Sequence, residues 1–470
     1  MKKILYIISI FILFAQISFA GTGSILSVNC FIAGGTPLNS GDEVTLAKFN
    51  AVFLDRLHMN DIGGDTYAAI KAANANTLVF VYVSPHASRP AYDSAANCTG
   101  NTLSRWDTQD RSHSQGSISS NPTYIMDDGV DDCITPYGHN QLDITISGMQ
   151  DYSAEAVATD LSGTACSGDG VFADDMYSYL TAGWLTGCTD PITNAQWQTA
   201  MTALIPKIAA ALTAEGKYLV TNLIYTEEST HTGSWDVWEA IDDSGNASFG
   251  LMTELFFTTM WGVAGDEIQF YPETQWKSYV DHVADATITN SNIFAVSRGT
   301  LLHMGEEGND NYDIAVTFWD GLWYNIGSYL LARKTANNLY THWGPGAWNH
   351  LDYYDEYDLD IGDPIGAYST DYDGNNAIYA REYDDAWVFV NAGTADDASI
   401  TLPESVREIT HATINTAWAD LSVSAASFAL PAHRAKIFIK ETAVGPSILP
   451  SISVGTNQIT VGTNQIEIVE

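Results

Sequence analysis

Between residues 51 and 318, short runs of β-branched and aromatic residues recur with helical stretches between them. The runs are Ala51–Leu57, Thr77–Ser84, Leu142–Ile146, Gly170–Ala173, Tyr218–Ile224, Phe249–Thr253, Ile293–Ser297 and Ile314–Phe318. Helical patterns fall at Gly64–Ala73, Tyr152–Leu161, Ala195–Glu215, Gln275–Ala284 and Leu322–Ala336. Strands that alternate with helices imply parallel βαβ units. Eight such strands, with no glycine-rich dinucleotide fingerprint after the first, imply a closed (β/α)8 TIM barrel and an α/β fold class. Residues Pro85–Gln141 lack helical periodicity and are rich in Ser, Asn, Asp and Gly, as expected of an elaborate βα loop over the barrel mouth.

Near Tyr354 the pattern changes. Strands now follow one another without helices, at Ala377–Tyr383, Trp387–Val390, Ala398–Leu402, Val406–Thr410 and Lys436–Lys440. Turn residues such as Asp384-Asp385 and Asn391-Ala392-Gly393 separate them, which implies a C-terminal antiparallel β-sandwich domain. The expected division is a barrel over 21–354, a sandwich over 355–441 and a tail over 442–470. The tail repeats Val454–Ile459 as Val461–Ile466, read as a linker or an added strand pair.

Residues 1–20 read as a secretory signal peptide. Lys2 and Lys3 precede the apolar run Ile4–Phe14, and Ser18-Phe19-Ala20 supplies small residues for cleavage. The run is short for a bilayer span of about 20 residues. A secreted chain, extracellular or periplasmic and without membrane insertion, is therefore expected. Its 57 acidic and 19 basic residues argue against nucleic acid as a partner, since phosphate binding needs clustered Lys and Arg. A monomer is expected.

Export permits disulfides. The five cysteines are Cys30, Cys98, Cys133, Cys166 and Cys188. Cys166 and Cys188 bracket one strand and its following loop, so they are the expected bridge. No Cys/His spacing suggests zinc, and the acidic stretch Asp352–Asp373 does not fit the twelve-residue calcium loop. Neither metal nor cofactor is expected.

A barrel of this kind does its chemistry at the C-terminal ends of its strands. Strand four ends Phe172-Ala173-Asp174-Asp175-Met176-Tyr177, and strand six ends Met252-Thr253-Glu254. Charge inside a barrel is costly, so a carboxylate at a strand tip faces the pocket. A strand-tip aspartate can also cap the next helix, which leaves open that one of Asp174 and Asp175 does only that. Strand five ends at Asn222, strand seven near Arg298, and strand eight at Trp319 and Asp320. Tyr177, Trp261 and Trp319 could serve as platforms for sugar faces. Glycoside hydrolysis needs two carboxyl groups flanking one bond, and Asp174 and Glu254 are the expected pair. Glu254 lies among apolar neighbours and is expected to be the proton donor; Asp174 is expected to ionise more easily and to act as nucleophile or base. Asp175 is expected to contact substrate.

Gly170-Val171-Phe172-Ala173-Asp174-Asp175-Met176 resembles the strand-four motif of the hypothetical glycosyl hydrolase 15 family of barrels. Leu142-Asp143-Ile144 resembles the strand-three aspartate of those barrels, which marks Asp143 as substrate-binding. Tyr324–Tyr340 resembles the helix after strand eight, and Ile361–Tyr368, Tyr379–Tyr383 and Val388–Asn391 resemble the start of their sandwich. A more distant likeness is to endo-α-1,4-polygalactosaminidase-type barrels, whose strand-four Asp and strand-six Glu match Asp174 and Glu254. Asp175 stands where that type usually has Asn, so its substrate is not carried over. Together these imply a glycoside hydrolase acting on a poly- or oligosaccharide. Two alternatives stand beside it: an inactive carbohydrate-binding barrel, and a metal-dependent polysaccharide deacetylase, for which the histidines are scattered.

Overall fold

The computed structural model describes most of residues 25–443, leaving out chiefly 33–36, 56–57, 89–123, 127–131, 134–139, 163–166, 181–184, 186–187, 189–191, 224–233, 245–247, 255–257, 260–267, 285–290, 300–303, 307–311, 314–316, 335–338 and 346–349; beyond 443 it describes 452–454, 457–461 and 466–468. Eight parallel strands close into a barrel. They are β1 (Leu26–Phe31), β2 (Ala51–Leu54), β3 (Leu78–Val83), β4 (Gly170–Ala173), β5 (Tyr218–Asn222), β6 (Ser248–Glu254), β7 (Asn292–Gly299) and β8 (Leu339–Pro345). Closure comes from the pairing of β1 with β8, Leu26 opposite Tyr340.

Two expected strands are corrected. Leu142–Ile146 is a tight turn before a helix, with Ile144 N–H bonded to the Leu142 carbonyl and Ile146 N–H to the Asp143 carbonyl. Leu142 and Ile144 are buried in the cluster that holds Tyr124, Met126 and Cys133, outside the barrel interior, and Thr145 is exposed. In the run Ile314–Phe318, Thr317 is a helix cap and Phe318 already helical. The barrel's first and last strands lie elsewhere. Both carry polar residues facing the helix layer, Ser27 and Asn29 in β1 and Thr341 in β8, all buried. That breaks the apolar run by which the other strands are read. Tyr324–Tyr340 accordingly spans the helix before strand eight and the start of that strand.

The helices on the barrel are α1 (Asp42–Leu46), α2 (Thr66–Ala73), α3 (Ser147–Ser162), α4 (Asn194–Ala214), α5 (Ser234–Asp243), α6 (Glu273–Ala284) and α7 (Phe318–Ala332). Helix α4 shows why such a segment folds as it does. Trp197, Met201, Leu204, Ile208 and Leu212 recur every three or four residues and are fully buried. Thr193 and Gln196 close a capping box at its start.

Alternate strand residues fill the barrel interior with rings. Phe53 stacks on Phe172 with centroids 4.4 Å apart, and Phe294 stacks on Tyr340 at the same spacing. Gly250 makes room for this layer, because a Cβ there would meet the Phe294 ring at 2.3 Å.

Beyond the barrel, β9 (Pro364–Ser369), β10 (Ile378–Tyr383), β11 (Ala386–Asn391), β12 (Asp397–Thr401), β13 (Val406–Ile409), β14 (Ser427–Leu430) and β15 (Arg434–Lys440) form an antiparallel sandwich. Five of them make one sheet, in the order β9-β10-β11-β15-β13, and β12 pairs with β14. Ile378, Phe389, Ile400, Leu430 and Phe438 pack between the two sheets. The other face of the larger sheet packs on α7, which thereby serves both domains. Toward the barrel, the Tyr329 hydroxyl donates to the Leu339 carbonyl at 2.7 Å. Toward the sandwich, Gly327 lets the chains approach; a Cβ there would lie 2.5 Å from that of Ala435. In the tail, 452–454, 457–461 and 466–468 form a three-stranded antiparallel sheet.

The expected bridge between Cys166 and Cys188 is also corrected. Cys188 is bonded to Cys133, with Cα atoms 5.0 Å apart. Cys133 is fully buried in the return limb of the long connection after β3, where its N–H bonds to the Met126 carbonyl and its carbonyl accepts from Gln141 N–H. That packing brings it beside the connection after β4. Cys166 and Cys98 lie outside the described residues. Most of Pro85–Gln141 does too, but its ends meet as an antiparallel pair, Ala87 opposite Gln141. Among the described residues no helix is long and apolar enough to cross a membrane, and no cluster of His, Cys, Asp and Glu is arranged to hold a metal.

Candidate active site

The polar mouth of the barrel sits directly on the aromatic layer. In β4, Phe172 faces the interior, so Asp174, two residues on, continues the inward row. Its N–H bonds to the Val83 carbonyl at 2.8 Å, prolonging the ladder past the end of the strand. Asp175 then turns the chain with φ of 58°. Aspartate is among the few residues with a side chain that visit this left-handed region readily. The turn is pinned from two sides. The Tyr177 hydroxyl donates to Asp175 Oδ1 at 2.8 Å, and Trp197 Nε1 of α4 donates to the Tyr177 carbonyl at 2.9 Å. Neither aspartate caps the following helix, since Thr193 does that.

Asp174 is only 8% exposed. Asn222, the last residue of β5, donates from Nδ2 to Asp174 Oδ1 at 2.7 Å. Tyr82, facing inward from β3, donates to the same carboxyl. These hydrogen bonds favour the ionised form. Burial works against it, and so does the negative charge of Asp175; burial is the larger effect and the pKa is pushed up to about 7. The raised pKa runs against the expectation of an easily ionised Asp174. The sequence shows polar neighbours along the chain, whereas the folded carboxyl rests on a phenylalanine floor.

Glu254 is the last residue of β6, two positions beyond Met252, which faces the interior. It pairs with Val296 of β7. Its side chain lies outside what the structure describes. Strands β4 and β6 flank β5, so the two acidic tips are two strands apart around the barrel.

The model of the hypothetical glycosyl hydrolase family 15 matches residues 71–387. The chain belongs to that family. The match runs from α2 through β11, so the mouth residues of β3 to β8 all fall within it. No curated protein matches the chain. Solved structures resemble it remotely. The galactosidase domain of the α-galactosidase–sucrose kinase AgaSK gives a TM-score of 0.43 at 10% identity, over 90% of this chain and 55% of that one. The α-galactosidase AgaA of Geobacillus stearothermophilus gives 0.42 at 8%, over 88% and 55%. A putative α-galactosidase from Bacteroides fragilis gives 0.39 at 8%, over 88% and 78%. The chain spans about half the length of the first two.

Within this family-15 barrel, the structure brings Asp174, Asp175, Tyr177 and Asn222 together. Others have different partners. Asp143 sits in the turn before α3, where Oδ1 accepts from the N–H and hydroxyl of Thr145, at 3.0 and 2.6 Å. Trp319 and Asp320 end no strand; they form the first turn of α7. Asp320 closes the capping box with Thr317 and pairs with Arg434 Nε at 3.3 Å. Trp319 stacks on His411 with centroids 3.6 Å apart. Both therefore belong to the seam between barrel and sandwich. Arg298 is the next-to-last residue of β7, paired with Gly344, and its side chain is outside the described set. Trp261 is outside it as well.

Three mouth residues escaped the sequence reading: Tyr82, Ser84 and Asp55. The signal was present, since Tyr82 and Ser84 continue the inward row of Phe80, and Asp55 continues that of Phe53. The sequence run Ala51–Leu57 extends past Asp55, whereas the strand ends at Leu54, so the acidic strand tip lies inside the run.

Proposed function

We propose that the chain is a secreted glycoside hydrolase that cleaves O-glycosidic bonds of a poly- or oligosaccharide with Asp174 and Glu254. The reading is carried by Asp174: a buried carboxyl at the mouth of a barrel of a hypothetical glycosyl hydrolase family, holding its proton up to about neutral pH. A carboxyl in that state suits the general acid, which must donate to the leaving oxygen and recover the proton afterwards. Glu254, two strands away, then serves as nucleophile, or as the base that activates water. This exchanges the roles expected from sequence. Asn222 and Tyr82 stabilise the carboxylate that Asp174 becomes once its proton has left. The signal-like residues 1–20 and the disulfide between Cys133 and Cys188 support export.

The test is release of reducing sugar from a panel of polysaccharides, with Asp174→Asn and Glu254→Gln beside the wild type. Loss of a positioned acid or base lowers turnover by about 10²–10⁴-fold. Both variants are expected to fall at least that far while still binding the sugar. Near-normal turnover by either would remove it from the pair. Binding without cleavage by the wild type would make the protein a carbohydrate-binding barrel.

A further inference from the structure

We infer that Asp55 and Ser84 form a second part of the same mouth, a clamp for the ring hydroxyls of the sugar whose glycosidic bond is cut. The inference rests on the hydrolase reading above. Asp55 follows the last residue of β2, and its N–H bonds to the Phe31 carbonyl, so the β1–β2 ladder continues to it. It lies two residues beyond Phe53, which faces the interior. The carboxyl-bearing residue is 6% exposed. Ser84 stands next to it in the ring of strands, two residues past the inward Tyr82. It is 7% exposed, and its Oγ makes no hydrogen bond among the described residues. A buried hydroxyl in that condition is costly unless a partner reaches it. A sugar hydroxyl can be that partner, because it both donates and accepts.

The ring order fixes which part of the substrate this side would meet. In the closed barrel β2 and β6 are four strands apart in either direction, hence diametrically opposite, with β4 midway. Asp55 and Glu254 therefore stand on opposite sides of Asp174. Strands are about 4.8 Å apart, so Asp55 and Asp174 are separated by about 10 Å along the sheet. Glu254 lies at the same two-strand spacing on the other side, so a sugar seated over Asp174 meets one carboxyl-bearing strand on each flank. With the scissile bond between Asp174 and Glu254, the ring extends toward β2. A carboxylate there accepts from two neighbouring hydroxyls, and Ser84 completes the contact.

The test is titration calorimetry on the full chain carrying Asp174→Asn, so that no probe is consumed. The probes are methyl glycosides of glucose, galactose, mannose, xylose and the N-acetylhexosamines, followed by deoxy analogues of whichever binds. Adding Asp55→Asn should weaken binding about tenfold or more, as for a lost hydrogen bond to a charged group, and Ser84→Ala should weaken it several-fold. The deoxy analogue lacking the clamped hydroxyl should bind the parent and the Asp55→Asn protein equally weakly, an equality that a merely structural role would not produce. Unchanged melting temperatures would exclude misfolding, and Ser84→Ala gives the same readout without a change of charge. Binding that ignores both substitutions, or no binding by any probe, overturns the clamp. Cleavage by the wild type with binding insensitive to Asp55 refutes the clamp alone. Binding that depends on Asp55, without cleavage, refutes the hydrolase alone.

Discussion

The mouth of the barrel and the seam between barrel and sandwich both combine buried charge with aromatic rings, and they treat that charge in opposite ways. At the seam, charge meets a partner. Glu356 is 1% exposed and lies 2.6 Å from His411 Nδ1, while the imidazole stacks on Trp319. The Arg381 guanidinium is buried and donates to the carbonyls of Leu330, Leu331 and Arg333 at the end of α7 and to that of Gly366. Those are the carbonyls a helix end leaves without partners, and the negative end of its dipole favours a cation there. At the mouth, by contrast, Asp174 is buried beside a second aspartate and its pKa is raised to about 7. One region spends its polar groups on holding two domains together. The other holds a carboxyl where its charged form is disfavoured, so that it keeps its proton up to about neutral pH, a feature that clusters at functional sites.

If that contrast is right, the largest effect on stability comes from the seam. Arg381→Met leaves several carbonyls at the end of α7 without a donor and should destabilise the protein by about 3–5 kcal/mol, read by urea unfolding. Turnover per folded molecule should stay near normal, because Arg381 is remote from the barrel mouth. A loss below about 1 kcal/mol would show that apolar packing of α7, not the buried guanidinium, holds the seam.

The mouth predicts the opposite sign. Asp174 is protonated more readily in the folded chain than in the unfolded one, so it favours the fold at low pH. That contribution is fully present below about pH 4, is lost as pH rises through about 7, and stays lost above it. Asp174→Asn carries no such charge. At pH 8 it should therefore be more stable than the wild type, by roughly 4 kcal/mol at 1.36 kcal/mol per pKa unit, and at pH 4 the two should agree. A variant both inactive and stabilised at pH 8 would separate function from folding in one substitution. Destabilisation at pH 8 would mean that the hydrogen bonds from Asn222 and Tyr82 outweigh burial.

The same two regions explain what was legible in the sequence. Strands β2 to β7 announce themselves as short apolar runs, because both of their faces are buried, one in the barrel and one under helices. β1 and β8 do not, since Asn29 and Thr341 are buried polar residues within them. Asp174 could be found because a carboxylate ending an apolar strand has few other uses. Trp319 and Asp320 were misplaced by the same rule, applied to a run that begins a helix instead of ending a strand. Their true partners, His411 and Arg434, lie about a hundred residues away and leave no local trace. The partner of Cys188 was misjudged for a like reason, since the long connection after β3 folds back on itself before Cys133 reaches it.

The smallest expected effect is the sharpest test of how the mouth holds its proton. Burial is the larger cause of the raised pKa of Asp174 and the charge of Asp175 the second. Asp175→Asn removes only the second. Asparagine tolerates the left-handed backbone at this turn as aspartate does, and its amide can still accept from the Tyr177 hydroxyl, so the geometry should survive. With the neighbouring charge gone, Asp174 should release its proton at lower pH. In the proposed role of general acid, Asp174 must be protonated, so kcat/KM should fall as pH rises through its pKa, and in Asp175→Asn that descending limb should move to lower pH. The plateau below the limb should change little. A limb that stays in place would make burial the whole cause. Were Asp174 the nucleophile, kcat/KM would instead climb as pH rises through about 7, and Asp175→Asn would extend activity to lower pH. The direction of this one limb therefore decides which carboxyl donates the proton, and its response to Asp175 shows whether the second aspartate was placed there to tune it.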